Sequence, residues 1–294
     1  MDIELIYDVR AELGEAPIWD DRRQRLLFVD IMNGHVHEFD PESKRDRVLA
    51  VGQPVGSIAL AEAGDWIIAA RDGFFRMDPD TGSLTPIALV EEDLVGNRMN
   101  DGAVDPCGRF WAGTMGTVGV SAQGTLYRLD PDGTVHHMLT PVSTSNGIDW
   151  SPDGRLMYYV DTPLSRIDVF NFEKPTGEIC YRRTFVNIPS AFGSPDGLVV
   201  DADGYVWLAL WQGGAIHRYS PNGRLHRVIN LPVSLVTKCA FGGPMLDELY
   251  ITTARIGLNE TSSSTDSPAG GVFRVRPGVR GRRANRFGNP RSAH

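Results

Sequence analysis

The chain has 294 residues, 41% of them hydrophobic, and a formal charge of −8. That length and apolar share suffice for a large core, and the acidic balance argues against nucleic acid as a partner. Three cysteines (Cys107, Cys180, Cys239) make no disulfide framework in a chain of this size. The N-terminal MDIELIYDVR lacks an apolar signal core and no run approaches transmembrane length, so the expectation is a reduced cytoplasmic protein with no membrane partner.

In chain order, the first element is a lone alternating strand, IELIYDV (3–9), with no neighbour of its own. One strand pattern then recurs six times: LLFVDI (26–31), WIIAA (66–70), RFWAGTM (109–115), LMYYVDT (156–162), YVWLALW (205–211) and ELYITTA (248–254). The centres Phe28, Ile68, Trp111, Tyr158, Trp207 and Tyr250 recur roughly every 40 to 50 residues, the spacing of propeller blades. Each copy is followed by another strand (VHEFDP at 36–41, TLYRLDP at 125–131), and five copies by one more (RVLAV at 47–51, LHRVINL at 225–231). Hairpin turn chemistry sits between them, as in Asp-Pro-Asp-Gly at 130–133 and Ser-Pro-Asp-Gly at 151–154. The pattern predicts an all-β six-bladed β-propeller with four-stranded blades over residues 1–277. The N-terminal strand supplies the outer strand that the last blade lacks, which removes an open sheet edge. Residues 276–294 hold six arginines and no acid, leaving 23 basic against 37 acidic residues in the body. Residues 278–294 are therefore expected to form a basic, disordered tail.

The first strand of a blade lines the central channel. Aligned on the turn that follows, these strands place Glu15, Gly56, Asn100, Asn146, Asp196 and Lys238 at one position. Two carboxylates and two amides at one depth need partners or a metal. An all-oxygen set suits one hard divalent cation (Ca, Mg or Mn), with Zn and Fe(II) also open. Few protein ligands leave positions for water and substrate. Taken singly, Asn146-Gly147 and Asp196-Gly197 read equally well as turns, and Glu15 as a surface carboxylate. Each, however, precedes an inner strand, whereas the clear hairpin turns fall one strand later. Asp130, Asp201 and Asp203 belong to those turns. His35 and His37 read as surface residues, His136 and His137 as outer-strand residues, and Cys239 as a packed thiol. There is no Gly-x-Ser-x-Gly elbow and no Gly-Lys pair for a phosphate-binding loop.

The segments LGEAPIW, NRMNDGAVDPCGRFWAGTM, SNGIDWSPDG, PDGLVVDADG and TKCAFGG resemble, in order, signature segments of the senescence-marker protein/gluconolactonase/luciferin-regenerating family. That family includes regucalcin and bacterial sugar-acid lactonases, and the resemblance spans residues 5–277. It implies a six-bladed propeller with one divalent cation in the channel, Glu15, Asn146 and Asp196 as metal ligands, and Arg98 and Asn100 as substrate contacts. Residues i and i+2 of an extended segment point to one side, which agrees with the last pair. One departure stands out. Regucalcin-like proteins carry a longer loop after GTM, with a glutamate that touches substrate, whereas here GTVGVSAQG (116–124) is short and uncharged. Its absence leaves this wall of the pocket more positive beside Arg98 and admits an acidic sugar derivative.

The expected activity is metal-dependent hydrolysis of a sugar-acid lactone in sugar catabolism, with Asp196 as catalytic base. The expected partner is a small-molecule sugar lactone, and the expected assembly a monomer or weak homo-oligomer. Two readings compete on the same scaffold: phosphotriester hydrolysis, and a non-catalytic calcium-binding or interaction propeller.

Overall fold

The structure, a computed structural model, describes residues 2–117, 123–258 and 268–288. In these residues the chain folds into six four-stranded antiparallel sheets. The inner strands are Gly14–Asp20, Val55–Leu60, Asn97–Val104, Ser145–Trp150, Ser194–Val200 and Val236–Gly242. Each packs against the inner strands of the blades before and after it, and the sixth packs against the first, so the ring is closed. Closure uses the two chain ends as predicted, since Glu4–Tyr7 pairs antiparallel with Val272–Val275 as the outer strand of blade 6. Among the described residues the only helices are two single 3-10 turns, Thr162–Leu164 and Ser190–Phe192.

The core is divided among the blade–blade seams. The inner three strands of each blade bury one face against the preceding blade and the other against the next, giving six apolar clusters around the ring. At the seam of blades 3 and 4, Trp111 meets Trp150 edge-on at 5.9 Å. Strand pairing puts Leu27 and Ile67, rather than Phe28 and Ile68, in register with Trp111 and Trp207. A one-residue slip in a pleated strand exchanges its two faces, so Phe28 packs in the seam with blade 6 instead.

Every inner strand also carries one extra residue against its partner, at the same height in each blade. The irregularities fall between Glu15 and Ile18, Val55 and Ser57, Met99 and Gly102, Ser145 and Ile148, Pro195 and Leu198, and Val236 and Lys238. A β-bulge bends the strand and re-aims the side chains at it. Six at one height form a collar around the channel.

The arginine-rich segment differs from the expectation of disorder. Residues 278–288 cross the end of the channel where the inner strands finish, and they bond to every blade. Arg286 reaches Asp20 and Asp21 of blade 1, Phe287 exchanges backbone bonds with Leu60 and Glu62 of blade 2, and Asn285 donates to Val104 O of blade 3. Arg282 donates to both oxygens of Asp149 (3.0 and 3.1 Å) and to Trp150 O in blade 4, and to Val200 O in blade 5. Gly281 N–H donates to Leu246 O of blade 6. Arg286 and Phe287 are buried. The segment has no apolar period because its partners are acids and carbonyls at the ends of six separate strands, far away in the chain. Residues 289–294 of the expected tail lie outside the described residues.

His37 also departs from the sequence reading. It is buried, stacked on Phe28 with ring centres 4.4 Å apart, and its Nδ1 lies 2.7 Å from Asp46 Oδ2, which also accepts from Tyr7 OH. Asp201 holds its turn, as expected, and in addition receives the Trp207 indole N–H and the Arg218 guanidinium.

Removing Arg282 takes the cation from a largely buried Asp149 carboxylate and leaves it only the N–H groups of Trp150 and Val200. Arg282→Ala is expected to cost about 2 kcal/mol, less than for a fully buried pair. In a chain of this size that lowers the melting temperature by about 5 °C. A thermal melt of the variant checks this, and an unchanged midpoint would mean that the segment does not dock in solution.

Candidate functional site

The collar of bulges decides which side chains meet. Matched by strand pairing, Glu15, Gly56, Asn100, Asn146, Asp196 and Thr237 make one ring of positions, and Ala16, Ser57, Asp101, Gly147, Gly197 and Lys238 the next ring down the channel. Lys238 thus sits one residue below the position assigned to it from sequence, and Thr237 takes its place. Glu15, Asn100, Asn146 and Asp196 are all buried, as is Arg98.

On blades 3 to 5 the site is ordered by a chain of hydrogen bonds. Arg98 Nη1 donates to Asn100 Oδ1 (2.6 Å), and Asn100 Nδ2 donates to Asn146 Oδ1 (3.1 Å). Asn146 Nδ2 donates to Thr162 Oγ1 (2.8 Å), whose hydroxyl donates to Pro195 O (2.9 Å), beside Asp196. Thr162 opens one of the two 3-10 turns, and sequence reasoning passed over it. Its strand LMYYVDT was identified, but nothing local marks the hydroxyl as a partner of Asn146. Asn100 is further anchored on Ser145 O (2.7 Å). Close approach of the strands depends on glycine, since a Cβ on residue 147 would lie 2.7 Å from Asp196 O.

On blade 1, Glu15 Oε2 accepts the N–H of Ala16 at 2.6 Å. Ala16 is held at φ 46°, a left-handed conformation that costs a non-glycine residue on the order of 1 kcal/mol. Such strain is kept where surrounding structure imposes it, here to turn a carboxylate into the channel.

Asp101 is the main residue of the site with no signal of its own in the sequence, although it directly follows Asn100. It is fully buried, and one of its oxygens accepts from Gly102 N–H (2.7 Å) and from Lys238 Nζ. Three carboxylates (Glu15, Asp101, Asp196) therefore share the buried channel with two cations (Arg98, Lys238). Burial and then the charge of Asp101 push Glu15 up to about 8. Burial, then Glu15 and Asp101, push Asp196 well above the usual carboxylate range. Burial pulls Arg98 down to about 10. Burial also disfavours charged Lys238, but Asp101 and Glu15 more than offset it and its pKa rises. Cys239 is packed, and burial pushes its thiol up, as a structural cysteine requires.

These residues fit a hard divalent cation. Glu15 and Asp196 repel each other in a desolvated space, and a cation between them would remove that repulsion. Among the described residues, no three His, Cys, Asp or Glu side chains group as a ligand set. A cation here would rest on two carboxylates and the amide oxygen of Asn146. Part of the loop expected to lack a substrate-contacting acid, residues 118–122, lies outside the described residues.

Behind the second ring the channel holds a cavity of about 110 Å³. Lys238, Ile148, Leu198 and Phe241 line it, and Arg282–Asn285 of the C-terminal segment border its far end. None of Glu15, Asn100, Asn146 and Asp196 lines it.

Fold and site together define a six-bladed propeller with a buried carboxylate–amide cluster in its channel. Residues 13–255 match the SMP-30/gluconolactonase/LRE-like region, and the chain belongs to that family. Regucalcin of Xenopus laevis is 36% identical over 279 residues, covering 93% of each chain. A solved luciferin-regenerating enzyme superposes with a TM-score of 0.90 at 30% identity, covering 97% of this chain and 99% of that one. A calcium-binding protein, regucalcin from Agrobacterium tumefaciens, superposes with a TM-score of 0.92 at 31% identity over 96% of both.

Gly147→Ala tests the close packing that brings Asn146 and Asp196 together. The new methyl meets backbone atoms that have little room to retreat, so a loss of roughly 1–3 kcal/mol is expected. Denaturant unfolding measures it, and a variant as stable as the parent would contradict the packing described.

Proposed function

We propose that the protein hydrolyses a sugar-acid lactone to the free aldonic acid in sugar catabolism, with one divalent cation held by Glu15, Asn146 and Asp196. What supports this reading is that Glu15, Asn100, Asn146 and Asp196 hold one ring position and are buried, that Arg98, Asn100 and Asn146 are joined by hydrogen bonds, and that Glu15 and Asp196 feel each other's charge. Membership of a family named for gluconolactonase supports lactone hydrolysis in broad terms. The identity of the cation, among Ca, Mg, Mn, Zn and Fe(II), is part of the test. The reading includes a small-molecule sugar lactone as partner, a cytoplasmic location, no nucleic-acid or membrane partner, and a monomer or weak homo-oligomer. The net charge of −8 agrees with the first exclusion, and no helix among the described residues is long and apolar enough to cross a membrane.

When bound, the cation supplies Lewis-acid polarisation of the lactone carbonyl and acidifies the attacking water. Asp196 takes the proton from that water as oxygen adds to the carbonyl carbon. It returns the proton to the ring oxygen as the ring C–O bond breaks, which leaves a hydroxy acid. Arg98 uses Nη1 to hold Asn100 and Met99 O, leaving Nη2 and Nε to orient the sugar. Asn100, whose two amide hydrogens go to Ser145 O and Asn146 Oδ1, keeps the second lone pair of Oδ1 to accept from a sugar hydroxyl. The hydrogen-bond chain from Arg98 to Pro195 keeps these groups in place before substrate arrives, so little ordering remains to be done on binding.

A second reading has a specific observation behind it. The Agrobacterium tumefaciens relative is a calcium-binding protein, and a channel that binds the ion without turning over lactones suits the same donor set.

Glu15→Gln and Asp196→Asn are each expected to abolish cation binding by calorimetry and to lower aldonolactone turnover by at least about 10³-fold. Arg98→Ala should raise KM by about tenfold or more, with a smaller effect on kcat. The parent, stripped of metal and reloaded with single cations, is assayed on a panel of aldonolactones beside an organophosphate triester. Cation binding without lactone turnover would favour the calcium-binding reading, and preferential triester hydrolysis would replace the lactonase assignment.

A further inference from the structure

Asp101 and Lys238 stand three blades apart in a ring of six, and therefore on opposite walls of the channel. The Lys238 side chain spans that gap. Its Nζ donates to Asp101 Oδ1 and lies 3.5 Å from Gly102 O, and the pair is buried, with side-chain exposures of 8% and 0%. The route across exists because residue 197 is glycine. A Cβ there would lie 2.5 Å from Lys238 Cβ, with Lys238 Cγ closer still and Cδ at 2.8 Å. The residue next to Asp196 thus makes room for the lysine stem.

This strut lies one residue below Glu15, Asn146 and Asp196 and above the cavity that Lys238 and Gly102 help to line. It floors the site. It also settles the electrostatics of a third carboxylate. Asp101 is close enough to raise the pKa of both Glu15 and Asp196, yet it does not join them in a ligand set among the described residues. Its Oδ1 is taken by Lys238 and the Gly102 N–H, while its Oδ2 is buried with no hydrogen-bond partner among the described residues.

We infer that Lys238 is a positioning residue that withholds Asp101 from the cation and limits the charge of the cation pocket. With Lys238 in place, the carboxylates of Glu15 and Asp196 face a dication and Asp101 is neutralised across the channel. Without it, Asp101 adds an uncompensated negative charge next to the pocket, and the attraction for a dication rises steeply because the surroundings are poorly screened. The inference rests on the cation reading given above, deepens it, and makes Lys238 a determinant of affinity rather than a ligand.

The test measures Mn²⁺ and Ca²⁺ binding by calorimetry on full-length Lys238→Met, Asp101→Asn and the Asp101→Asn/Lys238→Met double variant, beside Glu15→Gln. Lys238→Met should bind Mn²⁺ at least tenfold more tightly than the parent. Asp101→Asn, which leaves the lysine uncompensated, should bind at least tenfold more weakly. The double variant, with the strut removed at constant charge, should return to within about threefold of the parent. Equal affinities in the parent and both single variants would overturn the inference, as would weaker binding by Lys238→Met with no recovery in the double variant. If Lys238→Met does not fold, Asp101→Asn and the double variant decide the matter alone, the inference failing if Asp101→Asn binds as tightly as the parent. Failure of the underlying cation reading looks different: the parent itself would bind no cation, or Glu15→Gln would bind as well as the parent.

Discussion

One extra residue in each inner strand is the constraint on which the rest of this molecule depends. A regular strand would point alternate side chains into the two blade seams and leave the channel lined mainly by backbone. Because all six strands bulge at the same height, side chains there turn toward a common axis. The ring closure that pairs Glu4–Tyr7 with Val272–Val275 holds the six bulges level, and glycines at 147 and 197 let neighbouring strands come close enough for side chains to touch. Left-handed Ala16 is the local strain accepted to aim Glu15 inward.

The channel is divided into distinct zones. At the height of the bulges sits a buried polar cluster with two carboxylates, Glu15 and Asp196, and one arginine, Arg98. Beneath it the Lys238–Asp101 strut crosses the axis, and behind the strut lie apolar strand residues and a cavity. At the far end the segment 278–288 ties all six blades together through arginine, asparagine and backbone bonds. The low polarisability of the walls is what makes the buried charges matter, because each acts on its neighbours with little solvent screening. It accounts for the upward push on Glu15 and Asp196, and for the proposal that the channel accepts a doubly charged ion.

Much of this was legible in the sequence, and the illegible parts share a cause. Blade count, strand order and closure followed from a repeat that is written in apolar residues. Glu15, Asn100, Asn146 and Asp196 stood out because each leads an inner strand, and the structure brings them to one height. Their proposed roles as ligands, substrate contacts and base go beyond that placement. The bulge has no residue signature of its own, so the sequence pattern of blade 6 points to Lys238 where the fold has Thr237. That slip hid the partnership with Asp101, as did a separation of 137 residues along the chain. The arginine segment misled for a related reason. Its composition matches that of a solvated tail, and only the folded ring assembles the acids Asp20, Asp21 and Asp149 that hold it. His37 looked exposed on its strand because Asp46 and Phe28, which enclose it, come from neighbouring strands.

A crystal of the parent protein grown with Mn²⁺, with data collected at a wavelength that shows the ion's anomalous signal, tests the central claim most directly. The account predicts one strong peak in the channel, bonded to side-chain oxygens of Glu15, Asn146 and Asp196, with Asp101 still turned to Lys238. An empty channel, or an ion held elsewhere with those three side chains apart from it, would contradict the account.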